Sequence, residues 1–372
     1  MGGFLGRPAH ETGLLILGAL LAAALAGFAQ APAGAEKPAE KPAPPAASGQ
    51  QPAPLPGSSQ IRILVERVNV PFTVTDSKDR FVTDLTKDDF TVYEDGKQVP
   101  IDFFTSVTAA PLRVGLLLDT SNSVRLMFKA EQEAAIDFVH TLLGDARTKH
   151  RAFLMTFDTT KDLVKDFTAD PNDLADAVRK LKVGGGTALF EAIYHACKDK
   201  LMREVEAGGL RRVLLLVTDG EDDASRYSIE QVIDVARRAE VTIYAISTTS
   251  YGSTSPGEQI LERLAEETGG AVVYPWKKPP SAEFATGYLS RTQIGDQNAV
   301  YEVGLGKYAG EAAANLALAL AQINKELQLQ YTIGYRPPNP NPDGRFREIK
   351  VVAREKDLKV RAKKGYYALP PT

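Results

Sequence analysis

Val114-Gly115-Leu116-Leu117-Leu118-Asp119-Thr120-Ser121-Asn122-Ser123 reads as a short apolar run that ends on a carboxylate and two serine hydroxyls. An uninterrupted apolar run of strand length is the pattern of a strand buried on both faces, as in a parallel sheet. Four further runs share it: Ala152 to Phe157, Val213 to Val217, Val241 to Ile246 and Ala271 to Tyr274. Between them lie helices with apolar stripes. Asp170 caps a helix that has Pro171 at its first position and Leu174, Ala177, Val178 and Leu181 at helical spacing. Leu189, Ala192, Ile193, Ala196 and Cys197 repeat that spacing, Ser228 with Gln231 makes a capping box, and Gly269-Gly270 stops the helix that carries Leu261, Leu264 and Ala265. Strand and helix in alternation predict a doubly wound α/β domain, because parallel strands need helical crossovers that cover both sheet faces. Leu316, Leu320, Ile323 and Leu327 mark a last helix, and Trp276 to Tyr308, which lacks periodicity, reads as an insertion.

Outside this core the pattern changes. Val68, Val70, Phe72 and Val74 alternate with other positions, and Thr91-Val92-Tyr93-Glu94 runs into the hairpin dipeptide Asp95-Gly96. A β-segment this short cannot bury enough surface to stand alone. Gln330 to Tyr335, Phe346 to Ala353 and Leu358 to Lys363 read as three more strands, with Pro337 to Gly344 a loop between the first two. The two flanks are therefore expected to pair into one small β-sandwich, residues 61–109 and 328–368, with the α/β domain, 110–327, inserted between them. Ahead of them, Leu14 to Phe28 is apolar, with Arg7 before it and Ala29-Gln30-Ala31 after it, which reads as a cleaved secretory signal over 1–31. Residues 32–60, rich in Pro and Ala, read as an extended linker. The expected destination is export, periplasmic or extracellular, with membrane association only if the signal stays uncleaved.

Composition narrows the function. The 372 residues carry 44 Lys and Arg against 47 Asp and Glu, a formal net charge of −3 with no basic footprint for nucleic acid. A single cysteine, Cys197, cannot supply a thiolate cluster and reads as an inert buried thiol on a helix stripe. His140, His150 and His195 have no zinc-ligand spacing.

In open α/β sheets the loops leaving the carboxyl ends of the strands line the functional crevice. Asp119, Ser121 and Ser123 follow one apolar run, Asp219 follows another, and Thr187 ends the Gly184-Gly185-Gly186 loop ahead of a helix. All five side chains offer oxygen, which suits a hard divalent cation: Mg2+, or Mn2+ or Ca2+. Two carboxylates balance its charge and the hydroxyls add none, so a bound ion keeps Lewis acidity for an outside carboxylate, such as a partner's Asp or Glu. The acidic run Glu221-Asp222-Asp223 reads as a solvated face in preference to a second, calcium-type site.

Asp119-x-Ser121-x-Ser123, then Thr187, then Asp219 resembles the metal-ion-dependent adhesion site of von Willebrand factor type A domains, in the family's order. The resemblance spans roughly Arg113 to Leu327, and Leu85 to Phe90 with Lys364-Gly365-Tyr366-Tyr367 resembles the exported VWFA-related proteins described from Acidobacteria. It implies a six-stranded, mostly parallel, Rossmann-like sheet in the order 3-2-1-4-5-6, with Leu163 to Phe167 as an antiparallel edge and with Asp119 and Asp219 on adjacent strands. It implies direct metal contacts from Ser121 and Ser123, and contacts from Thr187 and Asp219 that alternate between direct and water-mediated. The functional expectation is a non-enzymatic, adhesion-type module that binds a protein ligand. Two alternatives use the same cation, a metal-dependent hydrolase and a purely architectural ion. No Gly-x-Ser-x-Gly elbow and no Walker loop supports the hydrolase, and the Asp119 turn holds no second carboxylate.

Overall fold

The computed structural model describes residues 67–106, 110–125, 127–206, 209–248, 255–275 and 297–370, without the side chains of 297–312. The proposed signal and linker lie outside the described residues, as does 276–296 of the expected insertion. Strand β5 (Leu112–Asp119) is buried at every position and sits inside a six-stranded sheet. Parallel partners flank it, β6 (Arg151–Phe157) on one side and β8 (Arg211–Thr218) on the other. Strands β9 (Val241–Ser247) and β10 (Val272–Val273) extend the sheet in parallel beyond β8. Beyond β6, β7 (Lys161–Thr168) closes the other edge antiparallel. In order of appearance in the chain these six run 3-2-1-4-5-6, the order that the family resemblance implies.

The continuous apolar runs follow from this position. Leu116 and Leu118 enter one core with Leu154, Leu215 and Val217, while Leu117 enters the opposite core with Phe153, Leu214 and Leu216. The first core is covered by α1 (Phe128–Leu143), α2 (Pro171–Arg179) and α6 (Gln297–Gln328). The second is covered by α3 (Leu189–His195), which runs on into a π-turn, α4 (Ile229–Arg238) and α5 (Pro256–Thr268). Local signals place the helix ends. The Asp170 side chain accepts from Asn172 N, Ser228 and Gln231 exchange capping bonds, and Gly269 ends α5 at φ 82°, a left-handed conformation that suits glycine. Cys197 is fully buried in the second core, where burial pushes its thiol well up.

One expectation is corrected. Gln297 to Tyr308, read as part of an aperiodic insertion, forms the start of the 32-residue helix α6. Gly304 and Gly306 interrupt the apolar stripe there, so the period appears only from Leu316 onward.

The flanks fold together. One four-stranded sheet runs β13 (Lys359–Ala362), β1 (Val68–Thr75), β11 (Tyr331–Tyr335), β4 (Phe103–Thr105). The other runs β14 (Gly365–Tyr367), β12 (Phe346–Ala353), β2 (Phe90–Glu94), β3 (Lys97–Val99). Each sheet mixes strands from both ends of the chain, and one core takes Val68, Val70, Phe72 and Val74 together with Tyr331, Ile333, Tyr335 and Ile349. Strand β14 is an addition to the expected set, since three residues carry no readable alternation; its Tyr366 hydroxyl donates to the buried Glu94 carboxylate at 3.2 Å. Helix α6 ties this sandwich to the α/β sheet: Glu326 accepts from Thr73 Oγ1 (3.1 Å) on β1 and from the Tyr244 hydroxyl (2.8 Å) on β9, and it pairs with Arg361 on β13.

His150 serves the base of the sheet. Its Nδ1 accepts from Leu112 N at 3.1 Å, which requires an unprotonated nitrogen, and burial, then the charges of Arg211 and Arg113, pull its pKa down to about 4. Between that value and the ordinary one near 6.5 the unfolded chain binds the proton and the folded chain does not. Stability is therefore predicted to fall as pH drops through this window. Urea unfolding of wild type and His150→Gln at pH 4.5 and 7 checks this, the variant losing part of the wild-type slope.

Candidate metal centre

Asp119 is the last residue of β5 and has no exposed surface. Both of its oxygens are held: Oδ1 accepts from Ser121 N at 2.8 Å and Oδ2 from Thr218 Oγ1 at 2.7 Å. Thr218 is the last residue of β8, so this bond fixes the carboxylate across the two adjacent parallel strands. The turn continues through Thr120, whose N–H and hydroxyl both donate to Phe157 O at the end of β6. Ser121 Oγ and Ser123 Oγ lie 2.8 Å apart, the first buried and the second exposed.

The glycine loop closes over the same turn. Gly184 N donates to Thr120 O (2.8 Å), and the Asn122 backbone and side-chain N–H groups both donate to Gly185 O. Thr187, at the end of that loop, is bound to the segment after β8: its N–H donates to Asp223 Oδ1 at 2.7 Å, and its carbonyl accepts from Asp223 N and Ala224 N. Asp219 opens this segment, with Oδ1 accepting from Glu221 N at 3.1 Å. The chain then reverses at Gly220, where φ is 82° and a Cβ would meet Gly257 O at 2.3 Å, so only glycine fits. All five sequence-derived residues thus lie on three loops joined to one another by hydrogen bonds, at the carboxyl ends of β5 and β8.

The electrostatics are one-sided. Burial, with added repulsion from Asp219, raises the Asp119 carboxyl above the usual range even though Ser121 and Thr218 donate to it. Glu131, in the first turn of α1, is pushed much further up by burial and then by Asp119 and Asp219. It is 2% exposed, and neither oxygen has a hydrogen-bond partner. Among the described residues none of these three acids joins an ion pair. Two carboxylates, three hydroxyls and an orphaned third acid, with no cationic side chain to balance them, fit a hard divalent cation.

Sequence reasoning missed four participants. Thr218 was passed over because a threonine at a strand end carries no motif of its own. Of the run Glu221-Asp222-Asp223, expected to be a solvated face, Glu221 and Asp223 are exposed and Asp222 is half-buried, but the two aspartates also hold backbone donors. Helix α3 starts at Ala188 with no side-chain cap of its own, so Asp222 Oδ1 accepts from Phe190 N (3.0 Å), Ser225 Oγ from Glu191 N (2.9 Å) and Asp223 from Thr187 N. Glu131 did leave a signal, since with Ala135, Phe138 and Leu142 it occupies the buried stripe of α1, where an acid is out of place.

Residues 114–283 match the family model of the von Willebrand factor type A domain, and this segment of the chain is such a domain. Among solved structures, a von Willebrand factor type A protein from Catenulispora acidiphila aligns at 12% identity over 83% of this chain and 74% of that one, with a TM-score of 0.40. Proximal thread matrix protein 1 from the mussel byssus, solved with a zinc-occupied MIDAS motif, aligns at 15% identity over 63% and 49%, with a TM-score of 0.39. The von Willebrand factor domain of the type V pili tip protein Mfa5 from Porphyromonas gingivalis aligns at 13% identity over 51% and 99%, with a TM-score of 0.38. No curated protein matches the chain.

Proposed function

We propose that this chain is an exported, non-enzymatic protein-binding module that holds a divalent cation, Mg2+ or its relatives Mn2+ and Ca2+, on Asp119, Ser121, Ser123, Thr187 and Asp219. Its ligand is a protein presenting an Asp or Glu side chain. The observation that carries this reading is the meeting of the three loops around two acids that lack cationic partners among the described residues, beside an exposed hydroxyl, Ser123. When bound, such an ion supplies Lewis acidity and a position for a carboxylate oxygen. Asp119 anchors the floor, since its hydrogen bonds to Ser121 and Thr218 fix both oxygens before any ligand arrives. Thr187 and Asp219 stand on a second segment whose position Asp223 and Gly220 set. Asn122, Arg125 and Gly185 form the exposed rim, where Arg125 donates to Asn122 Oδ1 at 2.8 Å. That rim is the surface on which shape and charge select a ligand. Export rests on the apolar segment Leu14 to Phe28 and the linker after it.

Capture of host surface proteins on the immobilised chain, in magnesium and in chelator, tests the proposal. The expected result is a ligand retained in magnesium and released by chelator, and not retained by Asp219→Ala. A ligand held equally well in chelator assigns the ion an architectural role and defeats the reading.

A further inference from the structure

Glu131 lies on the face of α1 turned to the sheet, 2% exposed, and both its oxygens lack a hydrogen-bond partner among the described residues. Other buried acids of the chain are provided for. Glu94 takes the hydroxyls of Tyr335 and Tyr366, and Glu326 takes Thr73, Tyr244 and Arg361. A carboxylate without a donor costs more to bury than an apolar side chain of its size, so packing gives no reason for this residue at a core position. The charges that reach it are those of Asp119 and Asp219, and both add to the cost. Gathered carboxylates are relieved by protonation or by a cation. Glu131 stands at the cation centre's end of the fold, in the first turn of the helix that follows the Asp119 turn, where its neighbours Ala130 and Ala134 share a core with Leu118.

We propose that Glu131 is a third carboxylate of the cation site, acting from the first turn of α1 and strengthening the hold on the ion. This rests on the cation reading under Proposed function and goes beyond it by naming a residue outside the five-oxygen set. Among the described residues no group of three or more His, Cys, Asp or Glu side chains is spaced to hold a metal directly, which places Glu131 outside the direct ligands. A carboxylate that bonds none of the ligands acts there through charge, and its loss is expected to weaken metal binding by about tenfold, the lower end of what losing an outer partner costs. The N-terminal end of α1 adds its partial positive charge, which keeps a carboxylate tolerable in the first turn.

The test is a calorimetric Mn2+ titration of the full chain as wild type, Glu131→Gln, Glu131→Met and Asp219→Ala, with the unfolding temperature of each measured free of metal. Both Glu131 variants are expected to bind Mn2+ about tenfold more weakly or worse. Their metal-free forms should unfold at or above the wild-type temperature, which a packing role for Glu131 does not produce. Wild-type affinity in both Glu131 variants, with binding lost in Asp219→Ala, overturns the role of Glu131 and leaves the cation site standing. Wild-type affinity in Asp219→Ala, or no binding by wild type, removes the cation reading and this inference with it. If Glu131→Gln does not fold, Glu131→Met carries the comparison, and failure of both to fold assigns Glu131 to folding and overturns the proposal.

Discussion

Magnesium or manganese at a hundred times its dissociation constant is expected to stabilise the wild-type chain by about 2.7 kcal/mol and to leave Asp219→Ala unmoved. The first figure is the linkage of a ligand that binds only the folded state, and for a chain of this size it corresponds to a rise in unfolding temperature of roughly 4 °C. Asp219 is the residue to remove because it does little for the fold. Its one described side-chain bond is to Glu221 N at 3.1 Å, a contact of about 1 kcal/mol, and its charge repels Asp119 and Glu131. The metal-free variant should therefore be close to wild type in stability. Asp119→Ala is a poorer probe, since it also breaks the bonds to Ser121 N and Thr218 Oγ1 inside the sheet. Thermal unfolding of wild type and Asp219→Ala with and without metal decides the matter. An equal response of the two shows that the ion binds elsewhere.

The second large effect lies in the sandwich. Tyr331, on β11 near the end of the chain, is 1% exposed and stacks on Phe72 with ring centroids 5.5 Å apart. It also touches Phe90 and Phe104, and its hydroxyl accepts from Leu85 N (3.1 Å) and donates to Val82 O (3.0 Å). Every one of these partners comes from the other flank, so Tyr331→Ala opens a cavity in a core shared by two distant segments. A cost of about 3–5 kcal/mol is expected, against about 1 kcal/mol for Tyr331→Phe, which removes only the hydroxyl. Urea unfolding measures the loss, and limited proteolysis should show faster cutting within residues 68–105. Unchanged protease resistance there would mean that the N-terminal flank does not depend on the C-terminal one.

The α/β sheet was legible because its central strands are buried on both faces, which writes burial into sequence as uninterrupted runs at Leu116, Leu154, Leu215 and Ile243. The helix ends were legible for a related reason, since Asp170, Ser228 and Gly269 act on backbone groups within a few residues of themselves. The loss of period at Gly304 and Gly306 hid the first turns of α6. The shared sandwich was legible only as an area argument, because neither flank alone could bury its alternating residues.

The candidate centre divides along the same line. Residue type and order pick out Asp119, Ser121, Ser123, Thr187 and Asp219, because oxygen donors at strand ends can be read one loop at a time. How those loops are held to one another is set by contacts that span tens of residues: Thr218 to Asp119, Gly185 to Asn122, and Asp223 to Thr187. Local chemistry such as capping, periodicity and donor type is written in neighbouring residues, which is why the fold class and the candidate donors can be read from the residues alone. Which acids are satisfied and which are stranded depends on what the folded chain brings alongside: contacts across the fold let Asp222 cap α3 and Asp223 hold the Thr187 loop, and leave Glu131 buried with no partner among the described residues.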